Sequence, residues 1–73
     1  DADPAVVSAL RALRSELAAG KPAYTVFDNK TLAALAAAEP SDEESFVAVR
    51  GLGPTKWKKY GAQILDAIAH ARD

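Results

Sequence analysis

Two groups of residues in this 73-residue chain have the types and spacing to do chemistry. The first is the run Arg50-Gly51-Leu52-Gly53-Pro54-Thr55-Lys56. Glycines on either side of one leucine can adopt positive φ and turn backbone N–H groups outward, and Pro54 suits the first position of a following helix. Orphan amides and the positive end of the dipole make a helix N-terminus hospitable to phosphate, and Lys56 would add charge. The same residues also describe a tight connection between helices with Leu52 plugging the core, and the run alone does not separate the two readings. The second group is Tyr24, in a loop behind Pro22, which can stack on an unpaired base or pack against Phe27 as a satellite of the core.

The charges around these groups are unevenly placed. Arg50 to Leu65 holds four basic residues (Arg50, Lys56, Lys58, Lys59) and no acid, whereas Glu39 to Glu44 holds four acids and no base. At roughly 100° per residue, Lys56, Lys59, Gln63 and His70 fall in one stripe beside Tyr60, with Lys58 on the opposite flank. Such a stripe can follow a phosphate backbone, or simply lay lysine stems over a core. The net charge of −1 gives no global attraction for a polyanion, so any such contact must be local.

Catalysis has no visible apparatus. Gly51 and Gly53 continue to Lys56 where a dinucleotide fingerprint needs glycine, and no Walker lysine motif occurs. There is no cysteine, hence no thiol nucleophile, disulfide or thiolate metal site, and the single histidine, His70, has no serine or carboxylate arranged around it for catalysis. Asp42, Glu43 and Glu44 are explained by a helix N-terminus, where the dipole favours acids. We expect no catalytic residue, metal or cofactor. The acidic start lacks the basic segment of a signal peptide, and no apolar run approaches membrane-spanning length.

The elements that must position these groups are helical. Asp3-Pro4 reads as an N-cap with proline at the first position; Val6, Leu10, Leu13 and Leu17 share one face, and Gly20 ends the helix. Lys21 to Phe27, with Pro22 and β-branched residues, is an ordered loop. Asp28 caps a second, alanine-rich helix anchored by Leu32 and Leu35 and stopped by Glu39-Pro40. Ser41 and Glu44 have the spacing of a capping box opening a short helix with Phe46 and Val49 inward. The last helix starts at Pro54 and turns Trp57, Tyr60, Ile64, Leu65 and Ile68 to the core. The expected fold is all-α, a small compact bundle of four to five helices with a helix-hairpin-helix-like glycine turn, and at 49% hydrophobic the chain suits a single domain over residues 1–73.

The order Pro22-x-Tyr24-x-Val26-Phe27-Asp28, then Thr31-Leu32, then Gly51-Leu52-Gly53-x-x-Lys56-x-x-x-Tyr60-Gly61 resembles the HRDC domain, the helicase and RNase D C-terminal module, over about Val6 to Ala69. The resemblance implies an accessory bundle excised from a larger protein, a RecQ-type DNA helicase first, that handles single-stranded or partly duplex DNA weakly inside the cell, at the nucleoid. It places the family's loop tyrosine on Tyr24 and its basic residues on Lys56 and Lys59; with Arg50, Gly51 and Gly53 these are the candidate DNA-binding residues. Because the module is slightly acidic overall, the alternative expectation is an autoregulatory or protein-interaction module that docks on its own helicase core or on another protein.

Overall fold

The structure, a computed structural model, describes residues 2–72. Its elements are α1 (Pro4–Ala18), a 3₁₀ turn (Ala23–Thr25), α2 (Asn29–Ala38), α3 (Glu43–Val47) and α4 (Pro54–Arg72). The described residues contain helices and turns only, in agreement with the all-α expectation.

Each helix begins where a short polar side chain can take an orphan amide or where proline needs none. Asp3 accepts from the Ala5 amide at 2.9 Å ahead of Pro4. Asp28 accepts from the Thr31 amide at 2.8 Å. The capping box of α3 departs from expectation by one residue: the pair is Asp42 and Ser45, not Ser41 and Glu44. The Ser45 amide donates to Asp42 Oδ1 at 2.8 Å and the Asp42 amide to Ser45 Oγ at 3.2 Å. A carboxylate accepts more strongly than a hydroxyl, and Ser45 Oγ also collects the Ser41 amide at 3.1 Å, so shifting the cap to Asp42 satisfies two donors with one hydroxyl. Glu44 is left as a first-turn acid.

Helices α1 and α2 end in left-handed residues. After α1 the chain takes φ 53° at Ala19 and 90° at Gly20. Glu39 closes α2 at φ 45°, its amide still bonded to Leu35 O at 2.9 Å, because Pro40 behind it disfavours another right-handed residue.

One core unites the elements. Val6, Leu10, Leu35, Phe46 and Ile64 have no exposure and Ile68 has 1%. α1 packs chiefly against α4, with α2 against α1 and α3 against α4. On α1 the fully buried line is Val6, Leu10 and Ala18, with Leu13 and Leu17 half-buried beside it. Arg14 completes that four-residue spacing, which puts a cation on the buried line of the helix. Trp57 meets the edge of Phe46, with ring centroids 5.3 Å apart and planes at 61°. Its indole also lies over Gly61, where an added Cβ would come within 2.3 Å of the ring. Trp57 is thus a packing residue.

Candidate nucleic-acid interface

The glycine turn and the tyrosine loop, more than twenty residues apart in sequence, lie together in space. Gly51 adopts φ 81°, and a Cβ there would stand 2.2 Å from Thr31 Oγ1. Thr31 is itself buried, in the first turn of α2. The glycine therefore serves two purposes at once: it supplies a conformation that L-residues avoid and allows backbone to touch the start of α2. Gly53 has no positive φ and nothing within 4 Å of a would-be Cβ, so only one of the two glycines is required by the turn. Leu52 is half-buried against the core, and its amide closes the turn onto Val49 O at 3.1 Å.

This contact gathers charge from two segments around Asp28. The Asp28 carboxyl is held below its ordinary value first by the Thr31 amide, then by the Thr31 hydroxyl, and further by the positive charges of Arg50 and Lys30. Arg50 and Lys30 are both exposed. Lys30 escaped the sequence reading because it stands outside the basic run after residue 50; its signal was its place beside Asp28 in the first turn of α2.

Tyr24 is held out from the body by the turn beneath it. Thr25 Oγ1 donates to Pro22 O at 2.7 Å, and the amides of Thr25 and Val26 bond to Pro22 O and Ala23 O at 3.0 and 3.1 Å. Val26 and Phe27 then plunge into the core at 2% and 3% exposure, while Tyr24 stays 71% exposed. The packing of Tyr24 against Phe27 considered from sequence leaves most of the ring in solvent. Among the described residues it stands out as the large hydrophobic side chain given to water.

The remaining candidates divide by environment. Lys59 is exposed on α4. Lys56, in the first turn of α4, is half-buried and donates from Nζ to Val26 O. Pro54 has no N–H and the Trp57 amide is bonded to Gly53 O at 2.9 Å, so the amides at the head of α4 come from Thr55 and Lys56. Arg14, also missed from sequence, donates from Nη1 to Phe27 O at 3.2 Å with its guanidinium 5.8 Å from the Phe27 ring centre. Its signal was visible as a charge on the apolar line of α1.

The acids lie elsewhere. Glu39 closes the end of α2 opposite Asp28, paired with Arg72 at 3.1 Å. Ten residues of helix put about 15 Å between the two ends, beyond a screening length of about 8–10 Å. The two ends of α2 thus differ: Asp28 opens it near Arg50 and Lys30, and Glu39 closes it on Arg72. His70 contacts its own helix, Nδ1 lying 2.8 Å from Asp66 O and 3.3 Å from the Asp66 carboxylate. No group of acids and histidines suited to a metal occurs among the described residues, and no helix there is long and apolar enough to cross a membrane.

Known proteins are similar to this chain. The chain is 38% identical over 47 residues to the ATP-dependent DNA helicase UvrD2 of Mycobacterium tuberculosis, covering 64% of this chain and 7% of that protein. It is 36% identical over 66 residues to the ATP-dependent DNA helicase RecQ of Bacillus subtilis, covering 86% and 11%. The chain therefore spans roughly a tenth or less of these helicases. A solved structure of D. radiodurans RecQ HRDC domain 3 superposes with a TM-score of 0.88 at 44% identity, covering 93% of this chain and 92% of that one. The HRDC domain family matches residues 3–68, from the N-cap of α1 to the last buried residue of α4, and the chain belongs to that family of small, non-catalytic helicase accessory domains.

Proposed function

We propose that this HRDC domain is the substrate-handling module of a larger DNA helicase, binding single-stranded or partly duplex DNA weakly and with little sequence preference. The observation that carries the reading is the meeting of the two motif segments, which sets the exposed Tyr24 loop and the cations of Arg50 and Lys30 around the start of α2. An exposed aromatic ring together with exposed cations is the usual construction of a single-strand groove: the ring stacks on bases of any identity, and cations neutralise phosphates. Gly53 supports it further, since nothing in the fold demands glycine there and its bare backbone leaves the Thr55 and Lys56 amides approachable. In this reading Tyr24 stacks, Arg50, Lys59 and Lys30 meet phosphates, and Gly51 and Gly53 shape the turn.

The test is titration of labelled oligo(dT) at low salt. Binding whose affinity falls with salt at about −0.7 per phosphate contact supports the reading; no binding at millimolar protein sinks it. A second reading draws on the acidic run at the start of α3, where Asp42, Glu43 and Glu44 are all exposed. There the module docks on a basic surface of its own helicase core, competing with DNA. Deleting the module from the full-length helicase would then raise DNA affinity, whereas the first reading has it fall.

A further inference from the structure

Val26 and Phe27 form the stem of the Tyr24 loop. Both are buried, and both lie in irregular backbone between the 3₁₀ turn and the N-cap of α2, where no helix or sheet ladder is available for their carbonyls. Buried carbonyls must find donors somewhere. Here the donors are two cations from opposite sides: Arg14 of α1 takes Phe27 O at 3.2 Å, and Lys56 of α4 takes Val26 O. Each stands where a cation is out of place by local rules. Arg14 is on the buried line of α1, and Lys56 is in the first turn of α4, where the dipole opposes positive charge. A cation at that position needs an acceptor, and the Val26 carbonyl is one.

We propose that Lys56 is a positioning residue rather than a phosphate ligand: with Arg14 it clamps the Val26–Phe27 stem and so fixes the direction in which Tyr24 projects. The proposal deepens the DNA-handling reading and rests on it for its consequence. The half-buried Lys56 amine is turned into the loop, while the exposed Lys59, Arg50 and Lys30 remain for phosphates. Lys56 thereby couples α4 to a loop thirty residues earlier in sequence.

Lys56→Met keeps the apolar stem and removes the ammonium; every core side chain stays in place, the buried Val26 carbonyl alone loses a donor, and the helical circular dichroism of the variant is checked first. The 73-residue chain is a fair test object, because a separately solved HRDC domain of the same extent shares its fold. Two measurements are made on the wild type, Lys56→Met and Lys59→Ala. The first is backbone amide NMR: in Lys56→Met the Tyr24 to Phe27 amides should shift and their order parameters fall from about 0.85 toward about 0.6, while Lys59→Ala leaves them unmoved. The second is oligo(dT) affinity against salt. Lys56→Met should weaken binding several-fold at every salt with the slope unchanged, whereas Lys59→Ala should lower the slope by about 0.7. If the loop amides of Lys56→Met stay in place and ordered, the clamp is overturned, the more so if the slope drops as for a phosphate contact. If the wild type binds no oligo(dT), the DNA reading fails, and the amide measurement still decides the clamp by itself.

Discussion

Replacing Gly51 with alanine tests the contact on which the candidate interface is built. Two costs arise together. At φ 81° an alanine sits in the left-handed region, a penalty of about 1–2 kcal/mol. Its Cβ would also stand 2.2 Å from Thr31 Oγ1, and because Thr31 is only 4% exposed the hydroxyl cannot swing into solvent; overpacking of this kind costs about 1–3 kcal/mol. The sum, about 2–5 kcal/mol, is a large part of the roughly 4–11 kcal/mol expected for a domain of this length. Thermal unfolding followed by circular dichroism should show Tm lowered by at least about 10 °C. The other glycines supply internal controls. Gly20→Ala bears the same φ penalty in open space, so about 1–2 kcal/mol, and Gly53→Ala bears neither, so it stays within about 1 kcal/mol of wild type. The double variant Gly51→Ala with Thr31→Ala should recover the overpacking part, exposing a coupling between residues twenty apart. Equal losses for Gly51→Ala and Gly20→Ala, or no coupling to Thr31, would refute the close approach of turn to helix.

Tyr24→Ala should leave stability within about 0.5 kcal/mol because the ring is 71% exposed, while weakening oligo(dT) binding by about 1–3 kcal/mol; loss of stability without loss of binding would return Tyr24 to the core. Gly61→Ala gains up to about 1 kcal/mol of helix propensity but drives its Cβ to 2.3 Å from the Trp57 ring, so we expect a net loss of up to about 2 kcal/mol and a changed Trp57 emission as the indole leaves Phe46. Asp28 and Asp42 are both held below their ordinary value of 3.8, Asp28 first by the Thr31 amide and Asp42 first by the Ser45 hydroxyl. A carboxyl lowered in the folded state adds stability that is complete above its unfolded value and lost as pH falls through the folded one. Asp28→Asn with Asp42→Asn keeps both caps and should flatten the loss of stability below about pH 4; an unchanged acid limb would assign that limb to other groups.

The helices were legible because their signals are local. Asp3-Pro4, Asp28, Glu39-Pro40 and Pro54 each act through their own backbone, and each bounds its helix as read. The box at α3 slipped by one residue because Ser41, Asp42, Glu44 and Ser45 offer overlapping choices, and a carboxylate's greater strength as an acceptor decides between them only when the donors are in place. Trp57 was legible as a core residue from its spacing, but its reliance on Gly61 was not, since a glycine inside a helix reads only as a weak helix former until the ring above it is seen. Arg14 and Lys30 were passed over for a related reason. Their significance comes from Phe27 O and Asp28, which no periodicity connects to them.

The candidate interface shows why a run of basic residues is a poor guide to a binding face. Read linearly, Arg50, Lys56, Lys58 and Lys59 form one group, yet folding gives them different work. Arg50 helps lower the Asp28 carboxyl from the turn, Lys56 is drawn into the Tyr24 stem, and Lys58 and Lys59 stay in solvent along α4. Lys30 joins Arg50 from the first turn of α2. A net charge of −1 is therefore compatible with local phosphate affinity, because what matters within one screening length is the local balance, here the exposed Arg50 and Lys30 about the start of α2 against the Asp28 carboxylate. The binding proposed for this face would be weak, because such cations are few and the Asp28 carboxylate stands among them. The carboxylate is retained because α2 needs its cap, so the fold itself limits how tightly this face can hold a polyanion.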